Sequence, residues 1–315
     1  MDLVPAPASQ AYHAAQHAVA YYRVAQPGAL RLGGATRAEY VQRQTTNDVG
    51  LLSPQRAVPS VLTNPSARIL EVFTLLAHGD HFLLLTQPGH APGLEAYFKR
   101  HLFFNDQVTI EDTSAAWAQY ELYGPQISKA LAAVGLAAVP ALDEVLAGSI
   151  DHQPVYALGD AGRTCLLVPA ALADALAAQW ATEALPSLSF DEREILRIEA
   201  GQAGAPEFTA ANTPFEVGLG RYVSASKGCY TGQEVLARQV TYDKVARGLV
   251  RLHAAQPLVS GSAVELDGRN AGTLSSVAHS PQHGWIGLAV LRKPFAAGQS
   301  AQVRTPGGLV SASIQ

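Results

Sequence analysis

A chain of 315 residues, 48% hydrophobic and 15% charged, has length for two or three domains and is too apolar to be disordered. Its net charge of −4 argues against a general nucleic-acid or membrane-surface binder, which is ordinarily basic, so direct nucleic-acid binding is not expected. Two cysteines, Cys165 and Cys229, cannot build a disulfide framework, and the opening MDLVPAPASQ lacks the basic-then-apolar pattern of an export signal. No apolar run approaches the roughly 20 residues that cross a bilayer, so the expectation is a cytoplasmic protein with no membrane partner.

In chain order, AYHAAQHAVAYYRVA predicts a short helix and QPGALRLGGA a turn-rich link. TRAEYVQRQTTNDVGLL predicts a second helix, with Thr36 and Glu39 spaced as a capping box and Asn47-Asp48 as the turn that ends it. SVLTNP, RILEVFTLLA and HFLLLTQP read as strands parted by Asn64-Pro65 and Gly79-Asp80, and GLEAYFKRHLF reads as a helix. From 113 to 189 the strands WAQYELYG, PVYALG and GRTCLLVP precede the helix PAALADALAAQWATEAL, which suggests an α+β module of its own. The last 70 residues hold regularly spaced short strands, with Asp267-Gly268 as a hairpin turn, and predict a small barrel or sandwich.

The chemistry concentrates between 190 and 244. In FDEREILRIEAGQAG, Asp191 and Glu194 form a capping pattern and Gly201 is a candidate C-cap. Glu199 then falls in the last turn, where the helix dipole disfavours a carboxylate unless a donor-rich group such as an aminopyrimidine meets it. In KGCYTGQE, Thr231 and Glu234 predict another capping box, which places Cys229 just before a helix N-terminus and close to Lys227. Both would favour the thiolate, although a small cysteine buried beneath the helix start is the commoner arrangement. Arg238, Lys244, Arg247 and Arg251 form a short basic run. There is no phosphate loop, dinucleotide fingerprint, nucleophile elbow or C-x-x-C pair, and His13 with His17 lacks a third metal ligand.

LRIEAGQ followed by PFEVGLGRYVSASKGCYTGQEVLAR resembles the YgfZ branch of the folate-binding family that also contains the glycine-cleavage aminomethyltransferase, GcvT. K-G-C-Y-x-G-Q-E is the signature of that branch, and YVQRQTTNDVGLL resembles the family's early helix and its Thr-Asn-Asp turn. The resemblance implies an α+β fold, a three-domain ring around a central folate channel. A discontinuous domain would span 1–112 and 190–244, an inserted α+β module 113–189 and a C-terminal β-barrel 245–315.

It further implies tetrahydrofolate or a derivative as cofactor, Glu199 as the carboxylate holding the pterin, and Cys229 as a functional thiol. Lys227, Tyr230, Gly232, Gln233 and Glu234 match the rest of the signature, and Arg247 is placed toward the folate tail. The expected role is support of iron–sulfur protein assembly or repair, including of tRNA-modifying enzymes, through transient contact with client or assembly proteins. No resident metal is expected, since one cysteine is too few to hold a cluster. The alternative is tetrahydrofolate-dependent aminomethyl transfer. The transferases carry an aspartate where this chain reads Ser66-Ala-Arg-Ile-Leu-Glu-Val72, and only Glu71 stands nearby, on a face that strand alternation leaves open.

Overall fold

A computed structural model describes residues 9–242 and 244–315. Most of the opening segment read for an export signal, and Asp243 within the basic run, lie outside the described residues. The elements in chain order are α1 (Gln10–His17), β1 (Ala20–Arg23), β2 (Gly28–Gly33), α2 (Arg37–Gln44), β3 (Val58–Thr63), β4 (Ile69–His78), β5 (His81–Thr86), α3 (Ala91–Arg100) and β6 (Thr109–Asp112). There follow β7 (Trp117–Tyr123), α4 (Ile127–Ala132), β8 (Val145–Ile150), β9 (Gln153–Asp160), β10 (Arg163–Pro169), α5 (Ala173–Thr182), α6 (Phe190–Glu199) and α7 (Gln233–Thr241). The chain closes with β11 (Arg247–Ala254), β12 (Ala263–Leu266), β13 (Arg269–Ser280), β14 (Gly284–Arg292), β15 (Ser300–Thr305) and β16 (Gly308–Ile314).

These strands make two five-stranded antiparallel sheets, ordered β3-β4-β5-β2-β6 and β1-β7-β10-β9-β8, and a closed six-stranded barrel ordered β11-β14-β13-β12-β15-β16. Each has its own core. Leu30, Tyr40, Phe73, Leu75 and Phe98 fill the first between sheet and helices, and Tyr120, Leu166, Leu176 and Trp180 fill the second. Leu252, Val264, Leu274, Leu291 and Val303 fill the barrel. A further cluster, with Leu76 and Leu83 against Trp117, Tyr156 and Leu167, glues the two sheets together. Complete burial of that many large side chains, each worth about 1.5–3 kcal/mol, fixes their positions firmly.

Several local expectations change. The helix predicted over 11–25 ends at His17, and Ala20–Arg23 becomes a strand paired with β7 in the second sheet. Tyr21 is the reason: its ring packs 4.6 Å from that of Trp180 and 6.0 Å from that of Tyr120. The first 112 residues are therefore not confined to the first sheet. The link QPGALRLGGA contains β2, which pairs with both β5 and β6.

Helix caps also differ. The Thr36 hydroxyl sits at the predicted start of α2 but accepts from the Gln107 amide at 2.8 Å, so no capping box forms there. Helix α2 ends at Gln44, before Asn47-Asp48, and the buried Asn47 side chain donates to the Pro59 carbonyl at 2.7 Å. The box of α6 is Ser189 with Glu192, two residues earlier than Asp191 and Glu194 suggest. Helix α7 begins after Gly232, at φ 86°, without a side-chain cap. A Cβ there would stand 2.7 Å from the Asn64 carbonyl oxygen, so both the left-handed backbone and the close approach require glycine.

Helix α6 and the barrel share a buried charge network. Arg197 is 2% exposed and donates to the Glu207 carboxylate (3.1 Å), the Gln202 carbonyl (2.7 Å) and the Ser276 hydroxyl (2.8 Å). Glu207 is fully buried and also accepts from the Gly204 amide at 2.8 Å and the Ser276 hydroxyl at 2.7 Å. Replacing Arg197 by methionine strands that carboxylate without its cation. Arg197→Met should therefore lower the unfolding free energy by about 3–5 kcal/mol in denaturant titration. A change below about 1 kcal/mol would show that Glu207 finds another partner or protonates cheaply.

Candidate functional site

The two sheets, α6, the loop after it and the start of β11 enclose a central cavity of about 650 Å³. Its wall takes Tyr22 and Glu121 from the second sheet, Val72 and Thr74 from β4, His90 from the turn before α3 and Leu249 from the barrel. Phe190, Arg193, Glu194 and Arg197 line it from α6, and Phe208, Arg221 and Tyr222 from the loops beyond. A space of this size, part aromatic and part charged, suits a small molecule with both a flat ring and polar edges.

The polar side is organised around Glu121, which β7 presents nearly buried. Arg193 grips its carboxylate with two bonds, Nε at 2.8 Å and Nη2 at 2.9 Å, the Tyr123 hydroxyl donates at 2.6 Å, and Arg163 lies 3.5 Å away. Burial opposes the charge, and the Arg163 and Arg193 guanidiniums outweigh it, holding the Glu121 carboxyl down to about 2. Glu194 is shared between Arg193 (2.5 Å) and Arg197 (2.6 Å) and is likewise held below the usual carboxylate range despite burial. Across the cavity, Arg221 contacts Asp143 and, at 2.8 Å, Asp160, tying the segment before α7 to the second sheet.

None of Glu199, Lys227, Cys229, Tyr230, Gln233 and Arg247 is among the residues that line this cavity. The Glu199 carboxylate points elsewhere: it accepts from the Tyr12 hydroxyl at 2.6 Å and the Ser280 hydroxyl at 2.5 Å, so protein groups supply its donors. Burial, then the hydrogen bond to Glu199, push Tyr12 up to about 12. Lys227 is 7% exposed, and its ammonium donates to the carbonyls of Gln42 (2.6 Å), Thr45 (2.6 Å) and Asn47 (2.8 Å). It is a clamp on the end of α2. Tyr230 is buried against Ala67 and Leu236, with Lys227 Nζ 5.1 Å from its ring centre. Gln233 donates to the Lys227 carbonyl at 3.3 Å, and Arg247 pairs with Glu216 through Nε (2.8 Å) and Nη2 (2.7 Å).

Cys229 is exposed, against the commoner expectation for a cysteine beneath a helix. Lys227 and Tyr230 are buried on either side, so the loop is pinned while the thiol projects. Cys165 is different. It faces Glu121 across the β7–β10 ladder and takes a bond from Gln119 at 3.3 Å, and burial followed by the Glu121 charge pushes its thiol up to about 12. That sulfur stays protonated and inert near neutral pH.

Glu71 turns away from the cavity side of β4, where Val72 and Thr74 stand. Arg193, Glu194 and Phe190 were within the stretch already read for Glu199, but only helix rotation and packing select which of them faces the cavity. Glu121, Arg221 and His90 carry no local sequence signal, because their partners are far away along the chain.

Sequence and structure comparisons agree with this architecture. The profile of the GCVT N-terminal domain matches residues 4–143. A chloroplastic protein of Arabidopsis thaliana named as a transferase is 27% identical over 278 residues, 85% of this chain and 64% of its own length. The chain thus spans just under two thirds of that relative. An aminomethyltransferase of Desulforamulus reducens is 29% identical, with 90% of this chain and 82% of the relative aligned. The crystal structure of the glycine cleavage system aminomethyltransferase T from Bartonella henselae superposes with a TM-score of 0.85 over 97% of this chain and 87% of that one, at 18% identity. The fold is the GcvT aminomethyltransferase fold, mixed α/β with a closed six-stranded C-terminal barrel. The matches are a likeness to the GcvT N-terminal domain over residues 4–143 and to an aminomethyltransferase along most of the chain.

The Glu121 cluster gives a pH prediction. Its carboxyl is depressed in the folded state from 4.5 to about 2, so its stabilisation is complete above pH 4.5 and is lost as pH falls toward 2. On the order of 3 kcal/mol should disappear across that window. Urea titrations at stepped pH should show Glu121→Gln less stable at pH 7 and flatter below pH 4.5. An equally steep acid limb in the variant would assign the titration to another group.

Proposed function

We propose that this chain binds tetrahydrofolate, or a derivative of it, in the central cavity. The observation that carries the reading is the cavity itself: about 650 Å³, with Phe190 and Tyr22 beside the ionised, twice-paired Glu194. Adjacent N–H donors of a reduced pterin complement a carboxylate, and its ring complements the aromatic faces. Glu194 is favoured for the pterin edge over Glu199, because Glu194 lines the cavity and Glu199 does not.

Two uses of the folate follow. The names of similar proteins favour aminomethyl transfer to tetrahydrofolate over a role in iron–sulfur protein maturation. Two local features favour the maturation role: Val72, not a carboxylate, stands on the cavity side of β4, and Cys229 offers an exposed thiol on a pinned loop. In that role the thiol acts transiently with a client or assembly protein in the cytoplasm, outside the cavity. No helix among the described residues is long and apolar enough to cross a membrane.

Calorimetric titration with tetrahydrofolate should give saturable binding. Glu194→Gln should weaken it about tenfold, the worth of a charge-assisted hydrogen bond, whereas Glu199→Ala should leave it within about twofold. The reverse pattern returns the pterin to Glu199. Incubation with an aminomethylated carrier protein then separates the two uses: methylene transfer to tetrahydrofolate establishes the transferase. Without transfer, Cys229→Ser should fail to restore iron–sulfur enzyme activity in cells lacking the gene. Full restoration by the serine variant removes the thiol from the mechanism.

A further inference from the structure

Glu71 is a costly residue where it lies. It is 7% exposed on β4, and its backbone donors are long: Val72 N at 3.2 Å and Gln87 N at 3.4 Å. Burial raises its carboxyl above the ordinary value, only partly offset by these bonds and by the neighbouring imidazole. A buried carboxylate this poorly served by amides needs a strong partner. That partner is His90, whose Nδ1 lies 2.8 Å from Glu71 Oε2.

His90 sits at the end of the turn Gln87-Pro-Gly-His, held by His90 N donating to the Gln87 carbonyl at 3.1 Å, and it starts α3. Its side chain is half exposed and lines the central cavity. One ring nitrogen is thus committed inward to a buried carboxylate, and the ring edge is left on the cavity wall. An ionised Glu71 requires N–H at Nδ1, and a neutral imidazole then carries its lone pair on Nε2. Isolated neutral imidazoles favour the opposite tautomer, so the dyad imposes a definite, readable state.

We propose that His90 is a ligand-contacting residue of the cavity, with Glu71 as its positioning residue: Nε2 accepts a hydrogen bond from an N–H of the bound reduced pterin. Glu71 thereby reaches the ligand without facing it. The idea rests on the folate reading, because it takes the cavity as the place where the ligand lies.

Histidine-selective ¹⁵N labelling and long-range NMR at pH 8 test it, with the His90 signals assigned by their loss in His90→Gln. Free wild-type protein should show His90 as the Nδ1–H tautomer, and Glu71→Met should return it to Nε2–H. An Nε2–H tautomer in the wild type overturns the dyad without any reference to the variant's folding. Saturation with tetrahydrofolate should shift the His90 Nε2 resonance, and His90→Gln should weaken calorimetric binding about tenfold. Saturable binding with an unmoved His90 signal and an unchanged affinity in His90→Gln overturns this proposal and leaves the folate reading standing. No binding at all sinks both.

Discussion

Pairing of buried charge along α6 holds the molecule together. Arg193 settles on Glu121 of the second sheet, Arg197 on Glu207 and the barrel, and Glu199 on Tyr12 of α1 and Ser280 of the barrel. The pairs that neutralise the buried Glu121 and Glu207 would be expensive to break, because an uncompensated charge in a low-dielectric interior costs several kcal/mol. One ten-residue helix thereby touches the second sheet, α1 and the barrel at once. The hydrophobic cores set the shape of each unit and an apolar cluster joins the two sheets, while these directional contacts orient α6 between the second sheet and the barrel.

A cavity follows from the same constraint. Arg193 and Arg197, one turn apart on α6, reach partners on different units, so the units stand apart at the helix face. The gap between them is what Glu194, Phe190 and the guanidinium stems line. Its charged groups are paired with one another, Arg193 and Arg163 with Glu121, Arg197 with Glu194 and Arg221 with Asp160, so the electrostatic balance is close to neutral. A ligand there gains by adding to an existing network, not by supplying a missing counter-charge.

How far the sequence reaches depends on how far along the chain each partner lies. Barrel strands β11 to β16 were legible because alternation and the Asp267-Gly268 turn are local signals; those two residues adopt φ 50° and 74°. Strand β1 was not legible, since Tyr21 becomes a strand only by packing on Trp180, about 160 positions later. Capping spacings misled for a related reason. Thr36 and Glu39 fit a box on paper, yet the Gln107 amide, from a distant loop, took the hydroxyl. The last turn of α6 is an unfavourable place for a carboxylate without donors, and the hydroxyls of Tyr12 and Ser280, distant in sequence, supply them to Glu199. Lys227 shows the limit most plainly. Nothing near it in sequence announces the three carbonyls at the end of α2, about 180 residues earlier.

That clamp also separates the protein's two chemically notable places. Lys227 secures the loop to α2, the Ser224 amide bonds the Thr46 carbonyl at 3.0 Å, and the Thr63 hydroxyl bonds the Thr231 carbonyl at 2.6 Å. With both ends fixed and Tyr230 buried, Cys229 has little freedom except to point outward. The lysine is thereby engaged with carbonyls and cannot serve as a mobile cation for ligand or thiol without releasing α2. The signature KGCYTGQE is thus largely a mounting, in which the lysine, tyrosine and left-handed glycine hold position and the cysteine alone is presented. The cavity is walled by α6, β4 and the turn before α3, whereas the thiol faces solvent outside it.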